Sequence, residues 1–188
     1  MATAAETQSI IQLVVGMVDA APGADILAEL EAMVDGGMTI EEMAIAITAN
    51  PAWSGDTGLF PDYLPNAVFA ENFLTQLIGS EVTEDYLEEA VAEMTASLNA
   101  GDSRGAAIND AIDALAATDS ADDDLGDAAT ALANKTEVAT YYSVELMQSS
   151  ADLEDLMAVV SAVDSSETAV ADGEAAIDSD IAAGQGLA

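Results

Sequence analysis

Apolar residues recur along this chain at helical spacing, and alternation with period two is nearly absent. That pattern predicts an all-α chain of about eight helices with essentially no sheet. The first helix spans about 6–18, with Ile10, Leu13, Val14 and Met17 on one face and Ile11, Val15 and Val18 beside it. Ala21-Pro22-Gly23 breaks it. A short helix over 25–34 turns Ile26, Leu27, Leu30, Met33 and Val34 inward, and Gly36-Gly37 closes it. Thr39 and Glu42 have the spacing of a capping box: the hydroxyl accepts from the Glu42 amide and the carboxylate reaches back. The helix they open must stop before Asn50-Pro51, because proline disfavours helix in the residue ahead of it.

Residues 54–65 hold Gly55, Gly58, Pro61 and Pro65 and read as a loop. Helices follow over 66–78, from a Thr83 cap to about Asn99, and from a Ser103 cap through Ile108, Ile112 and Leu115. Thr118 to Asp127 is an Asp-rich connector. A long helix over 128–148 and shorter ones over 152–163 and 167–181 complete the pattern.

Part of the chain repeats. Leu13, Val14, Met17 and Val18 fall on Phe73, Leu74, Leu77 and Ile78 at an offset of 60, as Asp25, Ile26 and Leu27 fall on Asp85, Tyr86 and Leu87. The offset then becomes 64, which sets Gly37 on Gly101 and the cap Thr39 on the cap Ser103. The change of four is about one helical turn, so the buried face stays nearly in phase. The unit is helix, turn, helix, glycine, spacer, Ser/Thr cap, helix. The expected organisation is a tandem repeat region over 1–117, its two copies packed on each other. A C-terminal helical region over 118–182 shares or extends the core, and 183–188 is a linker to a region further downstream.

Charge then narrows the partners. There are 36 Asp and Glu against Arg104 and Lys135, a net charge of −34. Such a surface repels nucleic acid and anionic lipid. Self-repulsion calls for salt or divalent cations, which suits a calcium-rich exterior or a halophilic cytoplasm; high solubility alone is the plainer reading. An apolar content of 51% is too high for a disordered chain. Cysteine and histidine are absent, which removes zinc sites of that type and the His-dependent nucleophile systems. No stretch approaches the roughly 18 apolar residues of a membrane span.

Three groups of residues are candidates for chemistry. Asp119, Asp122, Asp123, Asp124 and Asp127 are the densest carboxylates, and calcium takes several oxygen ligands from such loops. The EF-hand register fails: counted from Asp122, Gly126 is at position 5 and Ala133 at position 12. A solvated loop that caps the next helix is the favoured reading, and calcium is not required by any complete motif. Trp53, Phe60 and Tyr63 gather around the glycine-proline loop. Exposed, they would stack on sugar rings as glycan or partner contacts; the favoured alternative is that they pin the loop to the core. The acid pairs Glu41-Glu42 and Glu88-Glu89 lack the tuned, buried setting of acid–base catalysts and read as solvated faces. Arg104 is placed to bridge acidic helices, Lys135 to pair with an acid elsewhere, and the eight Met to fill core. No enzyme activity is expected.

Helix, Ala21-Pro22-Gly23-Ala24-Asp25, Gly37-Met38-Thr39 and Asn50-Pro51 together resemble a helical repeat of large bacterial surface proteins, including S-layer proteins of the RTX type. The segment Leu132 to Tyr142, with Asn134, Lys135, Glu137 and Tyr141, looks like one that often follows that repeat. The resemblance covers roughly 8–163. The first copy lacks the aromatic and the arginine often found near the turn, and the glycine-aspartate nonapeptides that bind calcium in RTX proteins are missing. What the resemblance implies is an N-terminal helical domain of a secreted protein at the cell surface, exported by a type I signal outside this sequence. Its role would be attachment to cell-surface polysaccharide. The alternatives are a self-assembling scaffold of a surface array or biofilm matrix, whose partner is another copy of itself, and an acidic cytoplasmic adaptor of a halophile.

Overall fold

The computed structural model describes residues 1–56, 58–79 and 81–183. Residues 184–188 of the expected linker lie outside them. Among the described residues the chain is all-α, with ten α-helices, eight of them seven residues or longer, and no strand. They are α1 Ala4–Val18, α2 Gly23–Asp35, α3 Ile40–Thr48, α4 Pro51–Ser54 and α5 Asn66–Ile78. After these come α6 Glu84–Ala100, α7 Arg104–Ala116, α8 Gly126–Thr140, α9 Leu153–Ala158 and α10 Ala169–Ala182. None is long and apolar enough alone to cross a membrane; α1 with α2 would pass only as a pair bent by 117°.

Local chemistry sets the helix starts as the sequence requires. The Thr39 hydroxyl accepts from the Glu42 amide at 3.1 Å, and the Thr39 amide donates to the Glu42 carboxylate at 2.9 Å. Thr83 and Ser103 accept from the amides of Tyr86 and Ala106. Each cap satisfies an amide that the first turn leaves without an intrahelical partner. Thr39→Ala should therefore cost about 1 kcal/mol, read as a lower denaturation midpoint. Thr39→Ser, which keeps the hydroxyl, should cost much less; equal losses would discount the cap.

The repeat is visible in the backbone. Gly37 and Gly101 both hold positive φ, +98° and +115°, two residues ahead of Thr39 and Ser103. Glycine adopts that conformation without a Cβ penalty, so each copy stops one helix with a left-handed glycine and starts the next with a Thr or Ser cap.

The chain divides into two compact units, Met1–Gly37 with Ala129–Ala188, and Met38–Ala128. This division differs from the one drawn along the sequence at 117. The third helices of the two repeat copies, α3 and α7, pack on each other in the second unit. The first two helices of the first copy belong instead to the unit that contains the C-terminal helices.

In that first unit α1 is covered on nearly every side from Ile10 to Met17, through Ile10, Ile11, Leu13, Val15 and Met17, while its first residues are exposed. A helix apolar on every side needs cover on every side. The α1–α2 turn is stitched to the segment after α8: Ala21 N–H donates to the Leu156 carbonyl at 3.0 Å and Ala24 N–H to the Gln148 carbonyl at 2.8 Å. Gly23, at φ +68°, sits where a Cβ would lie 3.3 Å from the Ser149 Cα. Lys135 pairs with Asp19 at 2.7 Å. On α2 only Leu27 and Leu30 of the five expected apolar positions are buried; Ile26 and Met33 are each 43% exposed.

The helix expected over 128–148 ends earlier. Thr136 and Thr140 turn their hydroxyls onto the carbonyls of Leu132 and Thr136, both at 2.7 Å, a bond that bends helices. The ladder then widens into a π-helical turn, Tyr141–Glu145, and Met147 at φ +53° closes it. The helix expected over 152–163 is likewise only α9, followed by turns. Of the eight Met, Met17, Met43 and Met94 fill core, whereas Met33 and Met147 face solvent.

In the second unit α5 packs on α6 and α3 on α7. α3 and α7 approach at backbone distance at Gly105, where a Cβ would lie 2.5 Å from the Ile45 Cα. Phe69 and Phe73 of α5 stack with centroids 6.3 Å apart, and Phe60 meets both edge-on.

Candidate functional site

Two of the three loop aromatics are interior. Trp53 and Phe60 are 3% and 5% exposed, with ring centroids 4.9 Å apart, and Phe60 continues into the Phe69–Phe73 stack. The loop is closed by Phe60 N–H donating to the Trp53 carbonyl at 3.0 Å. Their rings offer no free face for a sugar; they hold the loop to the core. Tyr63 is 69% exposed and is the one of the three placed for contact with a partner.

Arg104 completes this loop rather than bridging helices. Its guanidinium donates to the carbonyls of Pro61 at 3.1 Å and Leu64 at 2.6 Å, and lies 4.5 Å over the Phe69 ring. Carbonyls satisfy its donors and the ring face attracts its charge.

The connector aspartates remain at the surface. Asp119 accepts from the Ala121 amide, and Asp122 accepts from the amides of Asp124 at 3.0 Å and Leu125 at 2.9 Å. Asp122 therefore caps the approach to α8; Asp123, Asp124 and Asp127 are exposed. Among the described residues no three acidic side chains converge as a metal site would require. The Leu125 and Asp124 amides hold the Asp122 carboxyl below its ordinary value of 3.8. A depressed folded pKa means that the cap's contribution is present above the unfolded value and is lost as pH falls through the folded one. A carbon-detected titration should give Asp122 a midpoint below 3.8; a midpoint at or above it would contradict the cap.

The acid pairs Glu41-Glu42 and Glu88-Glu89 are exposed on α3 and α6. Thus neither occupies the closed cleft that acid–base catalysis needs.

A cleft of about 330 Å³ opens in the second unit among α5, α6, α7 and Leu125. Leu74, Ile78, Met94 and Leu115 line it from below, and Ala107, Ala111 and Ala114 of α7 leave it room. Glu93 and Asp110 also line it and are solvent-exposed, which places carboxylates at its mouth. Tyr86, half-buried, is another wall. Burial raises the Tyr86 phenol above its ordinary range, and Asp122, Asp124, Glu93 and Glu89 push it the same way. The sequence shows the small residues at 107, 111 and 114, but a cleft requires knowing that α5 and α6 stand opposite them. A smaller cavity of about 140 Å³ in the first unit is lined by Tyr142, Val159, Val163, Gly173 and Ile177. The Tyr142 hydroxyl is buried with no hydrogen-bond partner among the described residues.

Compared with known proteins, the chain matches no family model, no curated protein and no solved structure.

Proposed function

We propose that this chain is a non-catalytic anchoring module of a secreted surface-layer-like or RTX-type protein, attaching it to cell-surface polysaccharide with calcium as a helper ion. The observation that carries this reading is the twice-used punctuation, a left-handed glycine followed by a Thr or Ser cap at Gly37-Thr39 and Gly101-Ser103. It is one of the features by which the sequence resembles the helical repeats of such proteins. The exposed ring of Tyr63 supports a contact with sugar, since a free aromatic face stacks on the apolar face of a pyranose. The charge of −34 supports a role for calcium, because divalent ions relieve repulsion among carboxylates more strongly than sodium does.

The test is sedimentation of the purified chain with bacterial envelope polysaccharide, with and without calcium. The chain should pellet only with polysaccharide, more completely in calcium, and Tyr63→Ala should reduce the pelleted fraction. Large particles in calcium without polysaccharide would favour the self-assembling scaffold instead. A monomer indifferent to both would end the surface-layer reading.

A further inference from the structure

We propose that the cleft among α5, α6 and α7 binds a small amphiphilic amine, its apolar body against Leu74, Met94 and Leu115 and its ammonium at the carboxylates of Glu93 and Asp110. The site is distinct from any glycan contact at Tyr63, and the inference does not depend on the anchoring role.

Three observations converge on this ligand class. The first is size: about 330 Å³ lies at the small end of ligand pockets, which run roughly 300–1,000 Å³. The second is chemistry: the deep lining is aliphatic, so the buried part of a ligand must be apolar. The third is charge. Both charged groups that line the cleft are carboxylates, Glu93 and Asp110. Asp122, Asp124 and Glu89 add to the negative field at the neighbouring Tyr86. No basic side chain lines the cleft, because Arg104 is spent on the loop carbonyls and Lys135 on Asp19. An anionic amphiphile would meet repulsion from both carboxylates, and a neutral one would gain at most a hydrogen bond at the mouth. An organic cation gains from the carboxylates of Glu93 and Asp110. A bare metal ion is not favoured, since two lining carboxylates fall short of a coordination shell.

The test uses the full chain and calorimetric titration at physiological ionic strength. The probe is octyltrimethylammonium, held below its micelle concentration. Octanoate, octanol and tetramethylammonium are the matched controls. The long-chain cation should saturate at one molecule per chain, and every control should bind at least about tenfold more weakly. Ala111→Leu fills the cleft and should abolish binding. Glu93→Gln with Asp110→Asn removes exposed charge without touching the core; it should weaken the cation about tenfold and leave octanol unchanged. Should Ala111→Leu lower the melting temperature enough to obscure the result, the charge pair decides. Non-saturating uptake at many sites, as on any polyanion, would overturn the proposal. So would equal affinity for octanol, or a lysine-rich amphipathic peptide that occupies the cleft when the amine does not.

Discussion

Phe69→Ala should destabilise the second unit by about 3–5 kcal/mol, the usual cost of deleting a buried aromatic ring. Phe69 has no exposed surface, and three partners rest on it. Phe73 stacks at 6.3 Å, Phe60 meets its ring at 5.6 Å, and the Arg104 guanidinium lies 4.5 Å from its centroid. Removing the ring opens a cavity and leaves Arg104 without the face that attracts its charge. It also frees Phe60, on which Trp53 packs. Typical domains hold roughly 5–15 kcal/mol in all, so the loss is a large share of the whole. Trp53 is the sole tryptophan and lies in this unit, so its emission reports the unit's unfolding directly. Phe69→Leu keeps most of the volume and should cost clearly less. A Trp53 transition unmoved in Phe69→Ala would show that the aromatic cluster does not hold the loop.

What the sequence made legible is what neighbouring residues decide among themselves. Thr39 with Glu42, the stop at Pro51 and the caps Thr83 and Ser103 are all settled within one helical turn, and they fall where the pattern puts them. The apolar stripe of Ile108, Ile112 and Leu115 is buried as its spacing requires. Legibility fails where distant residues decide. Nothing near Ala21 or Ala24 in sequence announces that their amides will meet Leu156 and Gln148. The periodicity of 128–148 continues past Thr140, yet the hydroxyl bonds of Thr136 and Thr140 and the left-handed Met147 end the α-helix early. The stripe on α2 looks five residues wide, but Ile26 and Met33 lie together along one edge of it and stay wet. Arg104 shows the same limit among candidate site residues. Its surroundings in sequence are acidic helices, whereas its partners are carbonyls forty residues upstream in a loop.

Gly105→Ala should destabilise the same unit even though alanine is the better helix former. In an exposed helix the exchange gains about 1 kcal/mol. Here the new Cβ would lie 2.5 Å from the Ile45 Cα, 2.6 Å from its amide nitrogen and 2.8 Å from the Ala44 carbonyl carbon. All three are backbone atoms, so no rotamer change relieves the contact, and α3 must move away from α7. Overpacking of this kind costs about 1–3 kcal/mol, enough to reverse the propensity gain. The obstacle's identity gives a second check. The Ile45 side chain is 38% exposed, so Ile45→Ala alone should cost little. Because the clash is with backbone, Ile45→Ala should also fail to rescue Gly105→Ala. Gly101→Ala is the contrasting case: nothing lies within 4 Å of its Cβ position, so its cost comes from φ +115° alone and leaves the α3–α7 contact intact. Rescue of Gly105→Ala by Ile45→Ala, or a stabilised Gly105→Ala, would mean that these helices are not held at backbone contact.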